Sequence, residues 1–189
     1  MKKILIMLGI AAFAAAMFSC NNDDDRDTWS QYQDWREANN QWLAEMQAKK
    51  NPDGSPYYKV VVPEWNPATF VLMHYFNDRA ETEGNLSPLY TSTIDVRYTG
   101  HLYNGEPFDS SSNVTATSVP GIYRTRLNQT ISGWGVALSD MRVKDTAEVI
   151  IPYGLAYGST GAGTVILPYS NLRFNIRLED IYRYEASPY

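Results

Sequence analysis

The sequence predicts an α+β fold, with strands gathered on both sides of one short helix and a second, amphipathic helix ahead of them. Three observations carry this. Apolar residues alternate through Asp95–Ser111, Lys144–Ile151 and Leu172–Leu178, the period-two signature of half-buried strands. Between the first and second of these, Gln129–Met141 places Ile131, Trp134, Leu138 and Met141 at helical spacing. Upstream, Thr28–Lys50 repeats Trp29, Tyr32, Trp35, Trp42, Leu43 and Met46 every three or four residues, with Glu, Arg, Gln and Asn between them.

The 189 residues suit one domain with additions, and 44% hydrophobic content suffices for a real core. A net charge of −5 without any Lys/Arg cluster argues against nucleic acid, which needs a basic surface, and against an anionic lipid surface. Lys2 and Lys3 followed by the apolar run Ile4–Phe18 read as an export signal, the run being too short to span a membrane. The single cysteine, Cys20, cannot form an internal disulfide. A lone cysteine can be an incidental buried thiol, but Met17-Phe18-Ser19-Cys20 resembles a bacterial lipobox, in which cleavage precedes a cysteine that carries diacylglycerol. That resemblance implies a protein of the cell envelope, lipid-anchored to the outer membrane on its periplasmic or surface face. The expected organisation is a signal peptide over 1–19, the lipidated cysteine and an acidic tether over 20–27, an N-terminal helix with accessory strands over 28–90, and the main domain over 91–184.

In chain order, Thr28 is the expected N-cap of the amphipathic helix and Asn51-Pro52-Asp53-Gly54 its stop. Its tryptophan-rich face is read as a brace on its own domain, which makes the chain a monomer; a dimer contact is the alternative. Tyr57–Val62 and Thr69–Phe76 are rich in β-formers and predict two strands that add an edge to the sheet, with Pro63 and Pro67 in the gap. His74 and His101 are the only histidines and neither has a second ligand at metal spacing, so no metal is expected. In Asp95–Ser111, Val96, Tyr98 and Leu102 face one way, Asn104-Gly105 makes a tight turn, and Phe108-Asp109 brings a ring beside a carboxylate. That pair is either a wall of a small pocket or an ordinary hairpin end.

Ser112–Gly121 reads as an exposed loop. The glycines on either side of Trp134 weaken the short helix by about 1 kcal/mol each relative to alanine, so something must approach its backbone closely. Trp134 is therefore a candidate pocket floor, with plain core packing as the alternative. Pro152-Tyr153-Gly154 ends the strand Lys144–Ile151, and the glycine-rich loop Leu155–Gly163 lacks the Gly-Lys-Ser/Thr of a phosphate-binding loop. Val165-Ile166-Leu167-Pro168 then leads into Leu172, Phe174, Ile176 and Leu178, a strand half-buried against a helix.

Familiar covalent chemistries are missing. There is no second cysteine, no Gly-x-Ser-x-Gly elbow and no histidine placed beside a serine. What remains is Tyr98-Thr99-Gly100, Phe108-Asp109-Ser110-Ser111, Ile131-Ser132-Gly133-Trp134, Ala156-Tyr157-Gly158 and the run Ile166–Phe174. In that order and spacing these closely resemble the FKBP-type peptidyl-prolyl cis/trans isomerases, over roughly Ser92–Tyr182. The resemblance implies a twisted antiparallel sheet wrapped around one short α-helix. Residue by residue it implies that Trp134 underlies the proline ring, that Tyr98, Phe108, Ile131 and Phe174 wall the pocket, and that Val165 and Ile166 overhang it as a flap. Tyr157 would bond a substrate carbonyl, with the Ile131 N–H as second donor, and Asp109 would help orient the peptide. Thr130 stands where the family usually has valine, Leu167 where the flap usually has its first proline, and Ala162 where a larger flap residue is common; these reshape the rim. The aromatic ring that the loop Ser112–Tyr123 should supply has Tyr123 as its only candidate, not placed by the motifs.

The implied function is isomerisation of X–Pro bonds in exported polypeptides, with no cofactor and with macrolide inhibitors as competing ligands. The alternative is a non-catalytic module that uses the same groove to hold polypeptides as a chaperone or assembly lipoprotein.

Overall fold

The structure is a computed structural model that describes residues 24–115 and 117–182. Cys20 and the export signal lie outside the described residues. Two helices lead: α1, Asp24–Gln31, and α2, Gln33–Ala48. One continuous helix from Thr28 was expected. Instead the helix starts at Asp24, inside the stretch read as tether, and Tyr32 breaks it with φ −105° and ψ 24°.

The strands are β1, Lys59–Val61; β2, Val71–Tyr75; β3, Thr93–Leu102; β4, Pro107–Ser110; β5, Tyr123–Arg126; β6, Thr146–Ile151; and β7, Leu172–Ile181. The short helix α3, Ser132–Asp140, precedes β6. All seven strands form one antiparallel sheet in the order β1-β2-β6-β7-β3-β4, and β5 pairs with β3 beside β4. The far edge of β3 is thus divided: β4 takes Thr99–His101 and β5 takes Thr93–Val96. The expected turn is present at Asn104-Gly105, where Gly105 has φ +88° and its N–H donates to the Leu102 carbonyl at 3.0 Å.

One sheet face packs on α3. Ile94, Val96, Tyr98 and Leu102 from β3 and Leu172, Phe174, Ile176 and Leu178 from β7 point inward at alternate positions around Trp134, Ala137 and Leu138. The opposite face is covered at the β1-β2-β6 end, where Trp42, Leu43 and Met46 of α2 pack on Tyr58, Leu72 and Ile150. This explains why β2 reads as an unbroken apolar run: Val71, Leu72 and Met73 are all buried because both faces are covered. The strands expected to add an edge do so, through β2 on β6, and the amphipathic helix braces its own domain. Among the described residues no helix is long and apolar enough to cross a membrane.

The glycines around Trp134 have the steric origin their placement demanded. A Cβ on Gly133 would lie 2.3 Å from Ile151 Cγ2, and one on Gly135 would lie 2.9 Å from Tyr90 Cε2. Ile151 is fully buried and cannot step aside. Gly133→Ala therefore gains about 1 kcal/mol of helix propensity and loses more to overpacking, which costs about 1–3 kcal/mol. The expected result is a lower urea midpoint at unchanged slope; a variant as stable as the parent would mean that α3 has room to retreat from the sheet.

Candidate active site

A cavity of about 370 Å³ opens between the N-terminal end of α3 and the inner face of β3 and β7, lined by Tyr98, Phe108, Asp109, Tyr123, Gln129, Thr130, Ile131, Trp134, Tyr157 and Phe174. Every wall and floor residue expected from sequence is there except the two flap residues. The Trp134 ring is the base, only 4% exposed. Tyr98, Tyr123 and Phe174 stand edge-on to it, with ring centroids at 5.0, 6.3 and 5.5 Å and interplanar angles of 84°, 76° and 82°. Phe108 meets Phe174 at 90° and 5.5 Å. Edge-to-face contacts of this kind stabilise by about 0.5–1.5 kcal/mol each and fix ring orientation. Gly100 on β3 makes the wall possible, because a Cβ there would sit 2.6 Å from Phe108 Cζ and 3.0 Å from Phe174 Cε1.

The polar groups are few and placed. The Tyr98 hydroxyl donates to Asp109 Oδ2 at 2.6 Å, and Asp109 Oδ1 accepts the Ser110 N–H at 2.7 Å. Asp109 is thus held as an acceptor by the scaffold rather than aimed as a proton carrier. The Thr130 hydroxyl turns back to the Leu127 carbonyl at 2.7 Å, so this residue shows the cavity mainly carbon. The donors without a partner at the cavity include the Tyr157 hydroxyl, on a residue 39% exposed, and the backbone N–H of Ile131, which precedes α3. Burial, and then the charges of Asp109 and Tyr123, raise the Tyr157 phenol above its ordinary value, so it stays a neutral donor at physiological pH. The indole Nε1–H of Trp134 is buried without an acceptor. Such a stripped polar group costs about 1–3 kcal/mol, which the fold carries to keep the ring in place.

Neither Val165 nor Ile166 lines the cavity. Ala162 and Ile166 bridge each other, with N–H to carbonyl distances of 2.7 and 3.2 Å, and this folds the tip back on itself. Ile166 enters the core and Val165 is left in solvent. Conversely, Tyr123 completes the box and Gln129 joins its rim. Tyr123 reaches the cavity by pairing opposite Val96, a long-range register that no local motif announces. Gln129 belongs to a 3₁₀ turn, Leu127–Gln129, that carries no chemical signature of its own. A larger hollow of about 790 Å³ lies outside α3 between Val61–Trp65 and Tyr90, but of the residues marked by the motifs only Ser132 lines it. No group of three His, Cys, Asp or Glu side chains converges among the described residues.

An aromatic box with unpartnered donors, and no cluster of metal-ligating side chains among the described residues, defines a site suited to an apolar ring flanked by hydrogen-bond acceptors. The family model for FKBP-type peptidyl-prolyl cis-trans isomerases matches residues 85–179, half of the chain. The chain belongs to that family. It is 41% identical over 106 residues to a macrophage infectivity potentiator of Trypanosoma cruzi, covering 56% of this chain and 52% of that one. It is 42% identical over 94 residues to an FKBP-type 22 kDa peptidyl-prolyl cis-trans isomerase of Escherichia coli, covering 50% and 43%. The chain thus spans about half the length of these curated relatives. Among solved structures, a peptidyl-prolyl cis-trans isomerase from Pseudomonas syringae superposes with a TM-score of 0.61 at 28% identity, over 79% of this chain and 95% of that one.

The phenol of Tyr98 yields a pH prediction. Burial first, then the hydrogen bond to Asp109 and its charge, raise Tyr98 well above the ordinary tyrosine value near 10. A raised folded-state value stabilises fully below the unfolded value and is lost as pH rises, at up to about 1.4 kcal/mol per pH unit for one group. Unfolding free energy is therefore expected to fall above about pH 10, more steeply for the parent than for Tyr98→Phe. Equal slopes in urea titrations at several alkaline pH values would contradict the assignment.

Proposed function

We propose that this protein accelerates cis/trans isomerisation of X–Pro bonds in exported polypeptides. The observation that carries the reading is the pairing of an aromatic cradle over Trp134 with unpartnered donors that include the Tyr157 hydroxyl and the Ile131 N–H. Rotation about an X–Pro bond faces a barrier of about 18–20 kcal/mol because the twisted amide loses resonance. No bond is made or broken, so no nucleophile is needed. A twisted amide is less charge-separated than a planar one, and transfer from water to an apolar cavity therefore favours the transition state over the ground state. Phe108, Phe174 and Tyr98 provide that environment, and the pyrrolidine ring rests on Trp134.

The hydroxyl of Tyr157 and the N–H of Ile131 hold carbonyls of the bound segment, which lets the twist occur at one bond while its neighbours stay fixed. Asp109, through Tyr98, keeps the wall from shifting. A ten-thousand-fold acceleration requires only about 5.5 kcal/mol of differential stabilisation, within reach of desolvation plus two hydrogen bonds. Macrolide ligands of the family would compete for the same cavity. Cys20 carries the lipid in this reading, and the acidic run with α1 connects it to the domain, so that the site works at the envelope on chains emerging from export.

The test is isomerisation of a proline tetrapeptide by the parent, Tyr157→Phe and Asp109→Val. Parent activity well above the spontaneous rate is expected, with losses of about tenfold for Tyr157→Phe, equivalent to about 1.4 kcal/mol. A parent that binds the peptide without accelerating its isomerisation would turn the assignment to a holding module. For the anchor, labelled fatty acid should be incorporated by the parent and not by Cys20→Ser; label retained in the variant would remove the lipid from this account.

A further inference from the structure

The loop that carries Tyr157 is held from behind by the N-terminal helices, which lie outside the family-matched residues 85–179. Asn39 of α2 is fully buried, and it is the one buried residue of that helix. Its Oδ1 accepts the N–H of Asn171 at 2.8 Å, its backbone carbonyl accepts Asn171 Nδ2 at 2.7 Å, and its own Nδ2 donates to the Trp35 carbonyl at 2.9 Å. Asn171, also fully buried, spends its remaining oxygen on the N–H of Tyr153 at 2.8 Å. The Tyr153 carbonyl in turn accepts the N–H groups of Ala156 at 3.0 Å and Gly158 at 2.9 Å. Tyr157 therefore sits between two residues pinned to Tyr153, and Tyr153 is pinned through Asn171 to Asn39.

The same helices grip the end of this loop at two more points. Trp35 Nε1 donates to Ser170 Oγ at 3.1 Å, and that hydroxyl donates to the Leu167 carbonyl at 2.6 Å. Trp29 stands edge-on to Tyr169 at 5.2 Å under the guanidinium of Arg36, which lies 3.1 Å above its ring. Tyr169 has φ 63°, a left-handed conformation that a bulky residue keeps only when its surroundings enforce it. Its N–H closes the circuit on the Gly158 carbonyl at 2.9 Å.

We propose that Asn39 is a positioning residue for the reaction, acting through Asn171 and Tyr153 to fix the height of the Tyr157 hydroxyl over the cavity, so that the N-terminal helices are part of the working enzyme. This rests on the isomerase reading above. A single hydroxyl on a rim is useful only if its loop cannot drift, since productive geometry tolerates displacements of about 0.5 Å. The Tyr157 side chain has no hydrogen bond of its own to set its position, whereas the backbone around it is bonded at every turn. A buried carboxamide with all of its groups engaged supplies such rigidity, because any shift leaves a donor or acceptor dry. Plain stabilisation of the fold is the competing role, and it would not single out Tyr157.

The experiment is a double-mutant cycle on full-length protein with Asn39→Ala and Tyr157→Phe, read as kcat/KM on a proline tetrapeptide. Asn39→Ala is expected to lose about fivefold to tenfold in the parent background and less than twofold in the Tyr157→Phe background, since the hydroxyl it positions is already gone. Losses that multiply, or an Asn39→Ala enzyme within twofold of the parent, would overturn the proposal. Amide hydrogen exchange gives a readout independent of activity: protection at Tyr153, Gly158 and Tyr169 should fall in Asn39→Ala while Ile176 and Leu102 in the sheet stay protected. Uniform loss of protection would mean a structural role alone. If Asn39→Ala does not fold, Trp29→Ala, at a half-exposed residue, is expected to raise exchange at Tyr169 and lower kcat/KM about twofold to threefold, and unchanged values for both would overturn the latch. A parent without isomerase activity but with the predicted exchange pattern would refute the function while leaving the latch standing.

Discussion

The contact between Gly133 and Ile151 is the constraint on which the site rests. It lets α3 lie against the sheet closely enough that the next residue, Trp134, is buried as a floor instead of standing away from the strands. From that depth the rest follows in order. Tyr98 and Phe174 can reach the indole edge-on, Gly100 leaves room for Phe108 to close over Phe174, and Tyr123 fills the remaining side once β5 pairs with β3. A bulkier residue at 133 would lift the floor, and the walls would then meet over nothing.

Depth alone makes a binding pocket; the distribution of polar groups decides what the pocket can do. Potential acceptors and donors in the wall are mostly consumed by the scaffold: the Tyr98 hydroxyl by Asp109, the Asp109 oxygens by Tyr98 and Ser110, the Thr130 hydroxyl by Leu127. The groups left over include two donors, the Tyr157 hydroxyl and the Ile131 N–H, which suit carbonyl acceptors. Hydrogen bonds to those carbonyls are strengthened by the low polarity around them, while the amide nitrogen of the proline meets carbon surface. An arrangement that engages carbonyls and surrounds the amide with carbon surface suits rotation about the C–N bond better than it suits hydrolysis.

Much of this was written locally in the chain. The alternation in β3, β4 and β7 survives because one face of each is wet, and the glycines beside Trp134 announced a close approach before its partner was known. The continuous apolar run of β2 was legible as a strand by its β-branched and aromatic residues, although not that α2 covers its second face. What failed to show was long-range. Tyr123–Arg126 is a four-residue strand of sequence Tyr-Arg-Thr-Arg whose only reason to be extended is the free edge of β3 left between Thr93 and Val96. Val165 and Ile166 read as an overhang by resemblance, and the Ala162–Ile166 bridge that shapes this tip is set by backbone bonds that side-chain identity does not encode. The break at Tyr32 has no proline or glycine to mark it.

The tryptophan-rich face of the N-terminal helices gains its meaning from the same division between local and distant. Read alone, its aromatic residues asked only for some apolar surface. In the fold they divide the labour: Trp42, with Leu43 and Met46, buries against Leu72 and Ile150 as core, whereas Trp29 and Trp35 reach Tyr169 and Ser170 at the end of the loop that bears Tyr157. A helix that served as a brace alone would have no need to place a fully buried asparagine against that loop, because burying an amide without compensation costs more than burying a leucine would. The carboxamide of Asn39 is compensated at both ends, and its partners lie in the loop that leads to the Tyr157 hydroxyl. The polar core of this interface joins the N-terminal helices to the loop that bears Tyr157.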